Sequence, residues 1–218
     1  MREIAQIEKN RHSFNTINTA KKCAAAAAST SGGKMDIRSL DKKAYAGKKF
    51  TARYITSGYY DICASDNGFR MRYTPFEAPI ERTFDDVFFG EWLENSVAFG
   101  AFESEKLIGY VEGSLESWNN RFRISNICVF DDAKRSSGIG TALIKAILKT
   151  AESTGARMVV LETQSCNENA IEFYKKHGFS VIGFDLYAYS NADPEHHEIR
   201  IEMGKKLNQS TPYNPHAC

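Results

Sequence analysis

The residues best suited by type and spacing to hold a charged ligand lie in residues 126–141, NICVFDDAKRSSGIGT. This stretch reads as a short apolar strand, an acidic turn, and Arg135-Ser-Ser-Gly138-Ile-Gly140 opening a helix. Leu143, Ile144, Ile147, Leu148 and Ala151 recur at one-face spacing, with Lys145, Lys149 and Glu152 on the other face. Glycines at a helix mouth leave no Cβ to block close approach. The first N–H groups of a helix lack partners within it, and the dipole's positive end lies there too. Together these make an anion site. Arg135, Ser136, Ser137, Gly138, Ile139, Gly140 and Thr141 are therefore candidates to cradle a phosphate-bearing ligand. Arg135 also reads as a solvated surface charge, and the backbone donors do not depend on it. Neither G-x-x-x-x-G-K-[ST] nor G-x-G-x-x-G spacing is present, which sets aside two nucleotide-binding patterns.

Two further pieces follow the helix: an apolar strand at 157–164, RMVVLETQ, and NENAIEFYKKHGF at 167–179. In this order the pieces resemble the GNAT superfamily of acetyl-CoA-dependent N-acetyltransferases. That family's pattern is an apolar strand, R/Q-x-x-G-x-G/A on a helix, a strand, then N-x-x-A-x-x-F/Y-Y-x-x-x-G-F. The last part is matched at Asn167, Ala170, Phe173, Tyr174, Gly178 and Phe179, and the whole match covers residues 98–190. The resemblance implies an α/β fold with a mixed, mostly antiparallel sheet, splayed in the middle and flanked by helices. It implies acetyl-CoA as acetyl donor, with the pyrophosphate on residues 135–141. The Ile127-Cys128-Val129 edge would pair with the pantetheine arm, one N–H holding the thioester oxygen. Asn167 would touch the same arm, although an Asn before a helix is as often its cap. Tyr174 would protonate the departing thiolate, its alternative being a core tyrosine on an amphipathic helix.

Acetylating an amine also requires a base, because a lysine-like ammonium of pKa ~10.4 must lose a proton before it attacks. Many GNAT relatives carry a carboxylate on the strand before the turn, where this chain has Ser125-Asn126. Glu162 is the first substitute, since it follows the apolar run 158–161 and so falls near the splay. Glu112 and Glu116 are the others. Cys128 and Cys166 have no histidine beside them in sequence, which favours direct attack by the amine over a cysteine-bound acyl group.

Composition narrows the classes. The chain has 218 residues, 42% hydrophobic and 25% charged, enough for one sizeable core. A net charge of +1 gives no general pull toward nucleic acid or membrane, and neither is expected as a partner. No apolar run approaches the ~18 residues of a membrane span. Five scattered cysteines without C-x-x-C spacing read as free thiols in a reducing, cytoplasmic setting, with no disulfide framework and no metal site. His196-His197 reads as a surface turn. A homodimer is admitted, and the sequence does not fix the oligomeric state.

The elements that must position these residues read as follows. Residues 1–34 differ in composition and read as a disordered or non-native extension; 35–207 form the catalytic domain; 208–218 are a polar tail. Residues 59–65 and 69–76 read as a hairpin turning at Asn67-Gly68. Thr83 with Asp86 reads as a capping box, opening a helix with Phe84, Phe88 and Trp92 on its inner face. Strands follow at 98–103, 107–117, 121–130, 157–164, 181–189 and 197–203.

The acceptor is hinted at by charge. Between Phe76 and Asn95, six acids (Glu77, Glu81, Asp85, Asp86, Glu91, Glu94) face only Arg82. In GNAT enzymes this part helps form the acceptor mouth, so a small cationic amine would be drawn in; the alternative is a solvated helix face. In its C-terminal half, LETQ at 161–164, Asn167, FYKKHGF and LYAYSN at 186–191 resemble streptothricin acetyltransferases. Those acetylate a lysine-like amine of a polycationic antibiotic, which implies an antibiotic-inactivating role. A protein Nα- or lysine acetyltransferase and a non-catalytic acyl-CoA-binding module remain as alternatives.

Overall fold

A long aromatic hairpin lies across a sheet whose middle two strands part company; the first follows from alternation along β2 and the second from a bulge in β6. The structure is a computed structural model that describes residues 35–93, 95–130 and 136–207. The expected extension at 1–34, the tail at 208–218, Glu94 and Arg135 lie outside the described residues.

Seven strands make the main sheet in the order β1-β4-β5-β6-β7-β9-β8. They are β1 (Met35–Ser39), β4 (Val97–Glu103), β5 (Lys106–Glu116), β6 (Arg121–Val129), β7 (Met158–Gln164), β8 (Ser180–Asp185) and β9 (Arg200–Lys206). Every neighbouring pair is antiparallel except β6 and β7. Between those two the chain crosses over through α2 (Ile139–Ser153), whose buried stripe is Ile139, Leu143, Ile144, Ile147, Leu148 and Ala151. The one-face spacing therefore marks the side that packs on the sheet. The shorter helices are α1 (Lys42–Tyr45), α3 (Glu168–Lys176) and α4 (Asp193–His196).

Parallel pairing of β6 with β7 covers only Arg121–Ile124 against Met158–Leu161, although both strands run on. The break coincides with a bulge. Opposite β5, the register steps from Gly113↔Ile124 to Glu112↔Asn126, leaving Ser125 without a partner. An extra residue on one strand bends it and increases its twist. Residues 126–129 thus lean away from β7, and the splay expected in the middle of the sheet opens there.

The hairpin is longer than its local signals suggest: β2 (Lys49–Ser65) and β3 (Gly68–Val87). In β2, Phe50, Ala52, Tyr54 and Thr56 are buried while Thr51, Arg53 and Ile55 are exposed, the period-two pattern of a strand with one covered face. Asp66 and Asn67 close the turn between the paired Ser65 and Gly68, and neither Asn67 nor Gly68 has a positive φ. The helix expected from Thr83 does not form. Thr83 to Val87 continue β3, paired with Arg53 to Lys49. A local cap signal is worth only ~1 kcal/mol, and here a full-length partner strand competes with it. Phe88, assigned to that helix's inner face, still reaches a core of Phe50, Ala52, Phe89, Ala98, Phe102 and Tyr110. Its ring meets Tyr110 edge-on at 4.5 Å. Trp92 is 41% exposed and is not part of it. The far arm of the hairpin crosses α3, where Tyr60 Oη donates to Glu172 at 2.6 Å and Asn169 Nδ2 donates to Ile55 O at 2.9 Å.

Candidate active site

The mouth of α2 is built by left-handed backbone. Ser136 has φ 66° and Gly138, the N-cap, has φ 89° and no side chain of its own to cap the helix. The first helical bond runs from Ala142 N to Gly138 O at 2.9 Å. The N–H groups of Ile139, Gly140 and Thr141 therefore have no partner inside the helix. The two glycines divide the work. Among the described residues, a Cβ on Gly138 would meet nothing within 4 Å, and glycine is needed there for its φ. A Cβ on Gly140 would press on the Phe173 ring at 3.3 Å, so that glycine lets α2 approach α3.

Next to this mouth lies the free edge of β6. Phe130 donates its N–H to Ile108 O, on the β5 side, at 3.0 Å. N–H groups alternate in direction along an antiparallel strand. Cys128 therefore also points to β5, and the N–H groups of Ile127 and Val129 point into the splay. A ligand arm adding as a strand would meet Ile127 and Val129 as donors, not Cys128.

Tyr174 lies on α3. It is 6% exposed and packed in the core that α2 covers. Burial raises its pKa, and the neighbouring Cys128 thiol raises it further. The phenol stays protonated at neutral pH, as a proton donor must. Asn167 is the N-cap of α3, its Oδ1 accepting from Ala170 N at 3.3 Å.

The three glutamates considered as base have different surroundings. Glu116 is bonded to Arg123 and paired with Arg121 at 3.2 Å. Burial opposes its charge, but these arginines and Asn119 outweigh that and hold its pKa low. Glu162 is the first residue of β7 beyond the pairing with β6, as its place after four apolar residues implies. It is exposed, lies 3.8 Å from Arg200 and accepts from Tyr189 Oη at 3.5 Å. Glu112 is fully buried and accepts from the Tyr110 phenol and from Phe89 N at 3.2 Å. Burial pushes its carboxyl above the usual carboxylate range.

Two residues near Glu112 were not legible as a set. Tyr110 shares a face of β5 with it, a pairing hinted at only by a charge inside the apolar run IGYVEG. Asp86, assigned to a helix cap, instead sits on β3 opposite Phe50, with Asn126 of β6 beside its side chain. The acidic run also divides. Asp85 is exposed and bonded to Thr51 Oγ1 at 2.6 Å, whereas Asp86 is half-buried. Arg82 is paired with Glu198 at 2.7 Å. His197, expected at the surface, is half-buried and stacked on Tyr59 with ring centroids 3.7 Å apart. Cys166 is buried beside Tyr54 Oη at 3.5 Å, and burial raises its thiol pKa, so it is a poor nucleophile. Among the described residues, no cluster of three or more His, Cys, Asp or Glu is arranged to hold a metal. No described helix is long and apolar enough to cross a membrane.

The structure thus holds a helix mouth with left-handed backbone, a strand edge at the splay and a buried phenol on α3. Residues 66–179 match the family model for the acetyltransferase (GNAT) family. The chain belongs to the GNAT acetyltransferase family. This acetyltransferase is 32% identical over 138 residues to a streptothricin acetyltransferase of Escherichia coli, covering 62% of this chain and 75% of that protein. It is 27% identical over 180 residues to one of Streptomyces lavendulae, covering 77% of this chain and 94% of that protein. A crystal structure of nourseothricin acetyltransferase superposes with a TM-score of 0.64 at 26% identity, covering 80% of this chain and 99% of that one. The likeness thus extends beyond the C-terminal half. The acetyltransferase is an acyltransferase that uses acetyl-CoA as donor. The residues present fit that donor, since the mouth of α2 offers N–H groups and, among the described residues, space at Gly138.

Proposed function

We propose that this acetyltransferase moves the acetyl group to a primary amine of a small cationic acceptor of the streptothricin type, by direct attack. One observation carries the reading: the likeness to a streptothricin acetyltransferase spans most of both chains, 77% of this one and 94% of the Streptomyces protein. Bound acetyl-CoA supplies an activated acyl group whose carbonyl carbon accepts the amine. Ser136 to Thr141 hold its phosphates through backbone N–H groups. The edge N–H groups of Ile127 and Val129 orient the pantetheine arm, and one of them holds the carbonyl oxygen. Asn167 fixes the start of α3 and so the direction of Tyr174. The Tyr174 hydroxyl delivers a proton to the departing sulfur.

A thiol-release assay at saturating acetyl-CoA, run on streptothricin, an aminoglycoside, a polyamine and a basic peptide, tests the acceptor. Streptothricin is expected to give the largest kcat/KM, by at least tenfold. Its advantage should shrink as salt rises from 0.1 to 1 M, because the Debye length falls from ~10 to ~3 Å. A preference for the basic peptide would move the assignment to a protein acetyltransferase.

A further inference from the structure

The carboxylate that relatives carry on β6 is absent, yet the fold brings one to the same place from another strand. We propose that Asp86 on β3 takes the proton from the acceptor's ammonium, with Asn126 as its positioning residue and Glu112 as its buried neighbour.

The inference rests on the amine-acetylation reading above, and geometry selects the residue. Asn126 is the first residue past the Ser125 bulge, where the sheet opens. Its side chain lies beside the Asp86 carboxylate and favours the charged form, and Asp86 Oδ1 accepts from Val87 N at 2.7 Å. Two residues further on, Cys128 is near enough for its charge to raise the pKa of the buried Tyr174 phenol. A strand rises ~3.4 Å per residue, so Asn126 and Cys128 are about 7 Å apart along β6. Ile127, whose N–H faces the gap, lies between them. Asp86 and Tyr174 therefore flank the strand position at which the thioester would be held.

The other carboxylates are excluded on contacts. Glu116 is neutralised by two arginines, and Glu162 is paired with Arg200. Asp85 points out to solvent and Glu112 is fully buried, so no substrate meets it. Asp86 is half-buried, and no cation among the described residues acts on it. The titratable groups around it are Glu112 and Tyr110 of β5 and Cys128 of β6; its partner on β2 is Phe50. Glu112 keeps one oxygen, Oε1, without a hydrogen bond, and the nearby Ser96 hydroxyl stands outside bonding geometry. The charge of Asp86 in turn disfavours ionisation of Glu112, on top of its burial. Burial raises the pKa of Asp86 as well, against the bond from Val87 and the neighbouring Asn126.

The proton balance is complete. Asp86 takes one ammonium proton, and the freed nitrogen lone pair forms the C–N bond at the carbonyl carbon. The C–S bond breaks, the sulfur keeps its electron pair, and that sulfur takes the Tyr174 proton. The second amine proton restores the phenol, and Asp86 returns its own to water.

The test is the pH profile of kcat for streptothricin in wild type and Asp86→Asn, between pH ~6 and ~9.5, below the pKa of a lysine-like amine at ~10.4. Wild type should vary little once Asp86 is ionised. Asp86→Asn should lose about 100-fold or more at pH 7 and then regain nearly tenfold per pH unit, as solution supplies the free amine. Asp86→Glu should keep the shallow profile at reduced rate, and Asn126→Ala should steepen it in part. An unchanged acetyl-CoA-induced rise in melting temperature shows that each variant is folded. A pH-independent loss in Asp86→Asn, or the high-pH recovery appearing in Glu162→Gln instead, overturns the assignment. If wild type acetylates no amine at all, the underlying reading fails and this one with it.

Discussion

Replacing Gly138 by aspartate is expected to abolish the rise in melting temperature that acetyl-CoA gives the wild-type protein. At ~100 times its Kd a ligand adds about 2.7 kcal/mol to the folded state, some 5–10 °C for a chain of this size. The substitution acts by charge more than by bulk, because a Cβ at this position meets nothing within 4 Å among the described residues. It places a carboxylate against N–H groups that would otherwise receive phosphate oxygens, so both repulsion and competition oppose the ligand. Gly138→Ala separates the causes. At φ 89° any L side chain is strained, so the alanine variant should be less stable by ~1 kcal/mol or more without ligand and melt lower. It should still gain most of the ligand-induced shift. Thermal melts of the three proteins with and without acetyl-CoA decide this. An undiminished shift in the aspartate variant would place the cofactor's phosphates away from α2.

Tyr174→Phe should lower kcat by about 100-fold while leaving acetyl-CoA affinity unchanged, since only a proton donation used in the transition state is removed. Its setting makes the substitution clean. The ring sits among Ile171, Phe179 and other apolar residues, which a phenylalanine fills equally well. The melting temperature should therefore hold or rise slightly. Steady-state kinetics with a separate binding measurement checks the split. A kcat within a factor of two of wild type would make Tyr174 a core residue and nothing more.

Elements whose information is local were legible in the sequence. The stripe of α2, the cap and matched positions of α3, and the paired runs of β4 and β5 all stand where their periodicity places them. The hairpin was only half legible. Its far arm carries Pro75 and Pro79, which weaken a strand signal, and it is held by contacts with α3 and β8, distant in sequence. There Tyr60 bonds Glu172, and Phe69 meets Phe184 at 4.9 Å. The same distance effect hid the carboxylate. Asp86 read as part of a charge run, and nothing near it names Asn126, which comes beside it from β6 just past the bulge at Ser125. Ser125-Asn126 read as a missing acid, whereas the fold surrounds that spot with acids from β3 and β5.

Mass spectrometry of one reaction mixture tests the central claim most directly: protein, acetyl-CoA and streptothricin, with both the antibiotic and the intact chain weighed over time. Direct transfer to the amine predicts that the antibiotic gains one acetyl group per molecule, in step with thiol release, while the protein's mass never changes. An acetyl group accumulating on the chain, or an antibiotic unaltered while thiol is released, would contradict it.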